Sequence, residues 1–247
     1  LAYADRAQWL GDSDHVTVPV KQLLSQKYIK TRARRINPHH HTPSQKVTYG
    51  NPIESNETTH YSIVDPWGNA VSVTTTLNFS YGSGITVPGT GILLNNEMDD
   101  FSAKPGVPNA YGLLGNKKNA IAPNKRMLSS MSPTIVLKNN QLYIVTGTPG
   151  GSRIITTTVQ LLSHLIDHNM NVAEATHMPR FHHQWFPDHI RIEQHGFSND
   201  TLHKLRKRGH AIVTSPAMGG TQTIIKKDGY LFGASDPRKP ESLTLGY

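Results

Sequence analysis

At 247 residues, 36% of them hydrophobic and 17% charged, the chain can bury a substantial core, and its composition is that of an ordinary globular protein rather than a disordered one. Its formal net charge of +8 is scattered, apart from Lys30, Arg32, Arg34, Arg35 and the Arg206 to Arg208 cluster. Neither cluster is interleaved with aromatic stacking platforms, so no nucleic-acid partner is expected. The absence of cysteine excludes disulfides, zinc–thiolate sites and a cysteine nucleophile, and no apolar run is long enough to span a bilayer.

Frequent Gly and Pro, with short runs of Thr, Val and Ile, favour a strand-rich chain of mixed α and β structure. The opening Leu-Ala-Tyr-Ala-Asp-Arg has neither a starting Met nor the layout of a signal peptide, so the chain is expected to begin partway through a longer protein. Up to about Tyr28 the pattern reads as a helix end, a turn and a second short helix. From Arg32 to Glu57 there is no period and there are many breakers, among them Pro38, Pro43, Gly50 and Pro52, so this stretch is expected to be a mobile linker.

Two strand-like runs, Tyr61 to Asp65 and Ala70 to Leu77, flank Pro66-Trp67-Gly68-Asn69 and predict a hairpin. A second hairpin is expected around Asn139-Asn140, joining Pro133 to Lys138 with Gln141 to Thr146. Pro149-Gly150-Gly151-Ser152-Arg153 opens a helix with Ile155, Val159, Leu162 and Ile166 on its expected buried face. A further helix is expected from Ser198-Asn199-Asp200 to a stop at Gly209, and a third hairpin around Lys227-Asp228-Gly229.

No Gly-x-Ser-x-Gly elbow and no Walker loop is present. Glu57-Thr58-Thr59-His60-Tyr61-Ser62, where a breaker-rich segment meets a strand edge, is the point of interest. A threonine hydroxyl is a weak nucleophile unless a base lies beside it, and a free α-amino group on the same residue is the nearest possible base. Cleavage before Thr58 would create one. The histidines His39, His40, His41, His182 and His183 lack the spacing of a helical zinc site, so no metal and no cofactor is expected.

Four segments occur in order: Thr58-Thr59-His60-Tyr61-Ser62, Leu93 to Ser102, Pro123 to Thr134, and Thr148-Pro149-Gly150-Gly151-Ser152-Arg153. Together they resemble the small subunit of γ-glutamyltransferases. Pro179 to Trp185, Gly233 to Arg238 and Gly246-Tyr247 extend the likeness, and Tyr3-Ala4-Asp5-Arg6 resembles the end of the family's large subunit. The resemblance implies an α+β fold, the C-terminal portion of the four-layer αββα sandwich of N-terminal-nucleophile hydrolases. It divides the chain into residues 1–57, the end of a large subunit with its linker, and 58–247, the small subunit.

The resemblance further implies self-cleavage between Glu57 and Thr58, after which Thr58 attacks a γ-glutamyl compound such as glutathione. By the same likeness Thr76 would hold the nucleophile's rotamer, and the N–H groups of Gly150 and Gly151 would form the oxyanion hole. Asn78, Glu97 and Asp100 would take the substrate's ammonium, Ser129 and Ser130 its carboxylate, and Tyr111 would gate the pocket from a lid over Pro105 to Asn116. The family's large-subunit arginine on that carboxylate has no counterpart here.

The implied partners are the large subunit of the same precursor, a γ-glutamyl donor, and an amine or water as acceptor; family membership implies a periplasmic or secreted setting. The rival readings are a cephalosporin-type acylase, which Asp100 argues against, an unprocessed inactive fragment, and a basic nucleic-acid or metal-binding module.

Overall fold

The computed structural model describes residues 1–47 and 58–246. Glu57, the turn signals Gly50 and Pro52, and Tyr247 lie outside the described residues.

The N-terminal stretch forms α1 (Ala2–Trp9), α2 (Val20–Leu23) and α3 (Gln26–Ala33). Ser25 caps α3 by accepting a hydrogen bond from the Tyr28 amide. The expected mobile linker is in part well anchored. The Ser44 amide and hydroxyl each donate to Asp188 at 2.8 Å, and the Trp185 indole donates to the Ser44 carbonyl at 3.2 Å. A strap with no periodicity of its own is thus fixed by buried polar contacts to a loop distant in sequence, which no local pattern could announce.

The first hairpin pairs β1 (Thr59–Val64) with β2 (Ala70–Thr75). A four-stranded antiparallel sheet follows in the order β3 (Thr134–Lys138), β4 (Gln141–Gly147), β8 (Gln222–Lys227), β9 (Tyr230–Ser235). Both expected hairpins within it are present. Asn139 (φ 53) and Asn140 (φ 59) make one turn, and Asp228 (φ 51) with Gly229 (φ 83) the other, left-handed pairs that suit the strand twist.

Alternation along β4 explains the layering. Ile144 points to a core of Leu161, Leu165, Val172, Ala175 and Ile225, which joins the sheet to α4 (Arg153–Ile166) and α5 (Val172–His177). Gly147 turns to the opposite face, against the hairpin, where an added Cβ would lie 2.3 Å from the His60 ring. Hairpin, sheet and helices are therefore stacked in that order. The outer face of the hairpin carries Tyr61, Ile63 and Val71 to solvent at 45%, 54% and 46% exposure, where the fourth expected layer would sit.

The hairpin-to-sheet seam is polar and fully bonded. His60 meets Thr74 at 2.8 Å and Ser62 at 3.2 Å, Ser62 donates to the Gln222 carbonyl, and Ser72 to the Thr146 carbonyl. Buried polar groups cost stability only when unpaired, so this seam fixes register without a penalty.

The buried face of α4 differs from the expected one. Ile154, Thr157, Thr158, Leu161 and Leu165 are buried, while Val159 and Ile166 are 61% and 45% exposed. Counting only large apolar residues passes over Thr157 and Thr158, which are buried on the inward stripe. A third sheet, β5 (Phe181–His182), β6 (Ile190–Glu193) and β7 (Ile212–Ser215), is absent from the expectations above. Its strands are too short for a visible period, and its parallel β6–β7 pair is joined through α6 (Asn199–Lys207). The α6 helix itself starts at the Ser198 cap and stops at Gly209 as expected.

Candidate active site

Thr58 sits at the entry to β1, half-buried, and its hydroxyl lies 3.4 Å from that of Thr76, which follows β2. The hairpin register pairs Thr59 with Thr75, which is why these neighbours meet. Thr76 accepts from the Thr58 hydroxyl and from the Asn78 amide, the latter at 2.8 Å. Asn78 is 2% exposed with φ 73, a left-handed conformation asparagine tolerates, and its side-chain amide donates to the Asn96 carbonyl.

The pocket at Thr58 is lined by Thr76, Asn78 and Asp100 on one side and by Tyr111, Ser129, Ser130 and Gly151 on others. The structure thus brings together most of the expected site. Two expected site residues, Glu97 and Gly150, are not among the residues lining it. Glu97 acts on Asp100 electrostatically and has a buried carboxylate oxygen with no hydrogen-bond partner among the described residues.

Burial, then the Glu97 charge, pushes the Asp100 carboxyl up to about 7, against the opposing pull of Arg6. Burial raises Glu97 as well. Two acids held near one another in a semi-buried site form a receptor for a cation, because an arriving ammonium relieves both burdens at once.

The serines opposite are arranged as donors. Ser129 accepts the Met131 amide at 3.0 Å and Ser130 accepts the Arg6 guanidinium at 3.2 Å, so each hydroxyl keeps a proton to offer an anion. Asp100 and the two serines therefore line one pocket with Thr58, from separate loops.

The turn before α4 completes the site. Gly150 (φ 135) and Gly151 (φ 54) adopt conformations that side chains rarely allow, and they lead into a 14-residue helix whose positive end points at the turn. Thr148 supports the turn from below, donating to the Pro149 carbonyl and accepting the Gly220 amide. Arg180 holds the neighbouring loop by donating to the Met218 carbonyl, and it pairs with Asp236 in the interior.

Of the segment expected to form a lid, Tyr111 lines this pocket. Tyr111 is 4% exposed, and its hydroxyl donates to the Asn78 carbonyl at 2.6 Å. Asp99 accepts the Ala110 amide, and the Asn109 side chain accepts the amides of Tyr111 and Leu113.

Sequence reading missed the residues behind the site. Gln184 donates to the Tyr111 carbonyl and accepts the Ser152 hydroxyl, linking the Tyr111 loop to the glycine turn; its position within His182-His183-Gln184-Trp185 was the available signal. Tyr3 donates to the Ser152 carbonyl and Arg6 to Ser130, both from α1.

With this geometry in view, comparison with known proteins is decisive. Residues 1–245 match the family described as Gamma-glutamyltranspeptidase. The chain belongs to the γ-glutamyltranspeptidase family. It is 56% identical to the "Glutathione hydrolase proenzyme" of Escherichia coli (strain K12), over all of this chain and 43% of that protein. It is 46% identical to the proenzyme of the same name from Pseudomonas sp. (strain A14), over 45% of that protein. The chain thus spans less than half the length of the curated relatives it matches.

Among solved structures, a mutant Helicobacter pylori γ-glutamyltranspeptidase is 59% identical with TM-score 0.71, covering 73% of this chain and 100% of that one. A cephalosporin acylase from Bacillus halodurans superposes with TM-score 0.80 at 28% identity, covering 96% of this chain and 41% of that one. The chain has the α+β N-terminal-nucleophile hydrolase fold that these structures share.

Proposed function

We propose that this chain carries the nucleophile and donor site of a γ-glutamyltransferase and glutathione hydrolase that matures by cutting itself before Thr58. The observation that carries the proposal is the Thr58 hydroxyl, 3.4 Å from Thr76, in one pocket with Asp100, Ser129, Ser130 and Gly151. Residues 1–57 are then the end of the large subunit and 58–247 the small subunit. Supporting that boundary, solved relatives matched over their full length cover 73% of this chain.

In maturation Thr58 Oγ attacks the Glu57 carbonyl carbon, the peptide C–N bond breaks, and the Thr58 nitrogen takes the proton. Water then hydrolyses the ester, releasing the Glu57 carboxylate and restoring the hydroxyl beside a free amine. In turnover that amine takes the Thr58 hydroxyl proton as Oγ attacks the γ-carbonyl of the donor. The developing oxyanion is held by the N–H groups of Gly150 and Gly151 at the head of α4. The leaving amine departs with the proton, and the γ-glutamyl ester is resolved by water or by an amino-acid or peptide amine. Asp100, with Asn78 and Glu97, holds the donor's α-ammonium, Ser129 and Ser130 hold its α-carboxylate, and Tyr111 closes the pocket.

The partner is the large subunit of the same precursor. The apolar outer face of the hairpin, Tyr61, Ile63 and Val71, supports this, since a face of that kind is normally covered. A periplasmic or secreted location follows from the family alone. The acylase reading is disfavoured by its lower identity and by Asp100, which suits a donor bearing an α-ammonium.

Initial rates of p-nitroaniline release from γ-glutamyl-p-nitroanilide, with the full precursor and varied glycylglycine, test the function. Parallel double-reciprocal lines are expected from a common ester. No release, or intersecting lines, would count against it.

A further inference from the structure

Helix α1 belongs to the part of the chain before Thr58, yet it reaches the donor pocket at two points. Tyr3 is buried and anchors the helix on the Ser152 carbonyl, beside the glycine turn. One turn on, Arg6 is half-buried, places its guanidinium 3.2 Å from the Ser130 hydroxyl, and faces Asp100 electrostatically.

Ser130 lines the pocket and Arg6 does not, so the arginine acts through the serine. A guanidinium can only donate, which obliges Ser130 to accept from it and turns the serine proton toward whatever occupies the pocket. Its positive charge also sits behind the place where an anion would lie, in a region of low dielectric where such a charge is weakly screened.

We propose that Arg6 is a positioning residue that sets specificity for donors bearing an α-carboxylate, by fixing Ser130 as a donor and backing it with charge. This rests on the γ-glutamyl reading of the pocket. It assigns the segment before the cleavage point a lasting role in substrate choice, separate from any role in maturation.

The test uses the full precursor after maturation, with γ-glutamyl-p-nitroanilide and its α-carboxamide analogue as donors. Arg6→Gln is expected to raise KM for the carboxylate donor roughly tenfold, with kcat within about twofold, while the carboxamide KM rises far less, by the share Arg6 contributes to keeping Asp100 ionised. Arg6→Lys keeps the charge but loses the planar fork, so it should raise the carboxylate KM roughly threefold and spare the carboxamide. If Arg6→Gln fails to mature, Arg6→Lys decides. Equal KM changes on both donors, or a loss confined to kcat, would overturn the inference. Turnover of neither donor by the wild type would instead overturn the γ-glutamyl reading, and the inference with it.

Discussion

Thr58, just before β1, and Thr76, just after β2, have their hydroxyls 3.4 Å apart at the open end of one hairpin, and the Asn78 amide bonds Thr76 at 2.8 Å. Thr76 is therefore oriented by backbone and can in turn orient Thr58. Thr76→Val keeps the shape and removes the hydroxyl, so γ-glutamyl-p-nitroanilide turnover should fall by roughly tenfold to a hundredfold. Thr76→Ser should retain most of it. Equal loss in both variants would show that Thr76 acts by packing alone.

Asp100 supplies the pH dependence. Only its ionised form attracts an ammonium, and its carboxyl is pushed up to about 7. Donor kcat/KM should therefore rise with pH through about 7, and Asp100→Asn should abolish that limb and cost roughly a hundredfold. A group whose folded pKa is raised holds its proton more firmly when folded, so its contribution to stability is lost as pH rises from about 4 to 7. Asp100→Asn should thus raise Tm at pH 8 by roughly 2–5 °C, the expected trade of stability for function. A calorimetric scan showing a lower Tm would contradict this.

His60 works in the opposite sense. Burial between hairpin and sheet lowers its pKa to about 4, below the usual value, so the unfolded chain takes up a proton that the folded chain refuses. Stability is then lost as pH falls from about 6.5 toward 4. Melting curves of His60→Gln should show a shallower acid slope than the wild type. Gly147→Ala, whose new Cβ would lie 2.3 Å from the His60 ring, should destabilise the protein by roughly 1–3 kcal/mol. An unchanged Tm in Gly147→Ala would mean that the seam is loose.

Arg180 and Asp236 form a buried ion pair, and Asp236 also accepts the Thr221 amide and hydroxyl. Asp236→Ala strands the arginine in the interior, and urea unfolding should report a loss of about 3–5 kcal/mol. A loss under about 1 kcal/mol would show that water reaches Arg180.

How much of this was legible in the sequence varies with the kind of signal. The hairpins at Asn139-Asn140 and Asp228-Gly229 were readable because left-handed turns demand particular residues. The α4 helix was readable from its period, but its buried face was not, because Thr157 and Thr158 pack inward without scoring as apolar. The site residues Thr58, Asn78, Asp100 and Ser130 were named through family resemblance, and the fold then placed them in one pocket. Arg6, Gln184 and the Ser44 strap escaped notice because their roles depend on partners distant in sequence.

The most direct test of the account is the intact mass of the full precursor before and after incubation at neutral pH, beside a Thr58→Ala control. The account predicts that the wild type yields a fragment beginning at Thr58 and that the control stays whole. A wild-type precursor that remains uncut, or a control that is cut at the same bond, would contradict it.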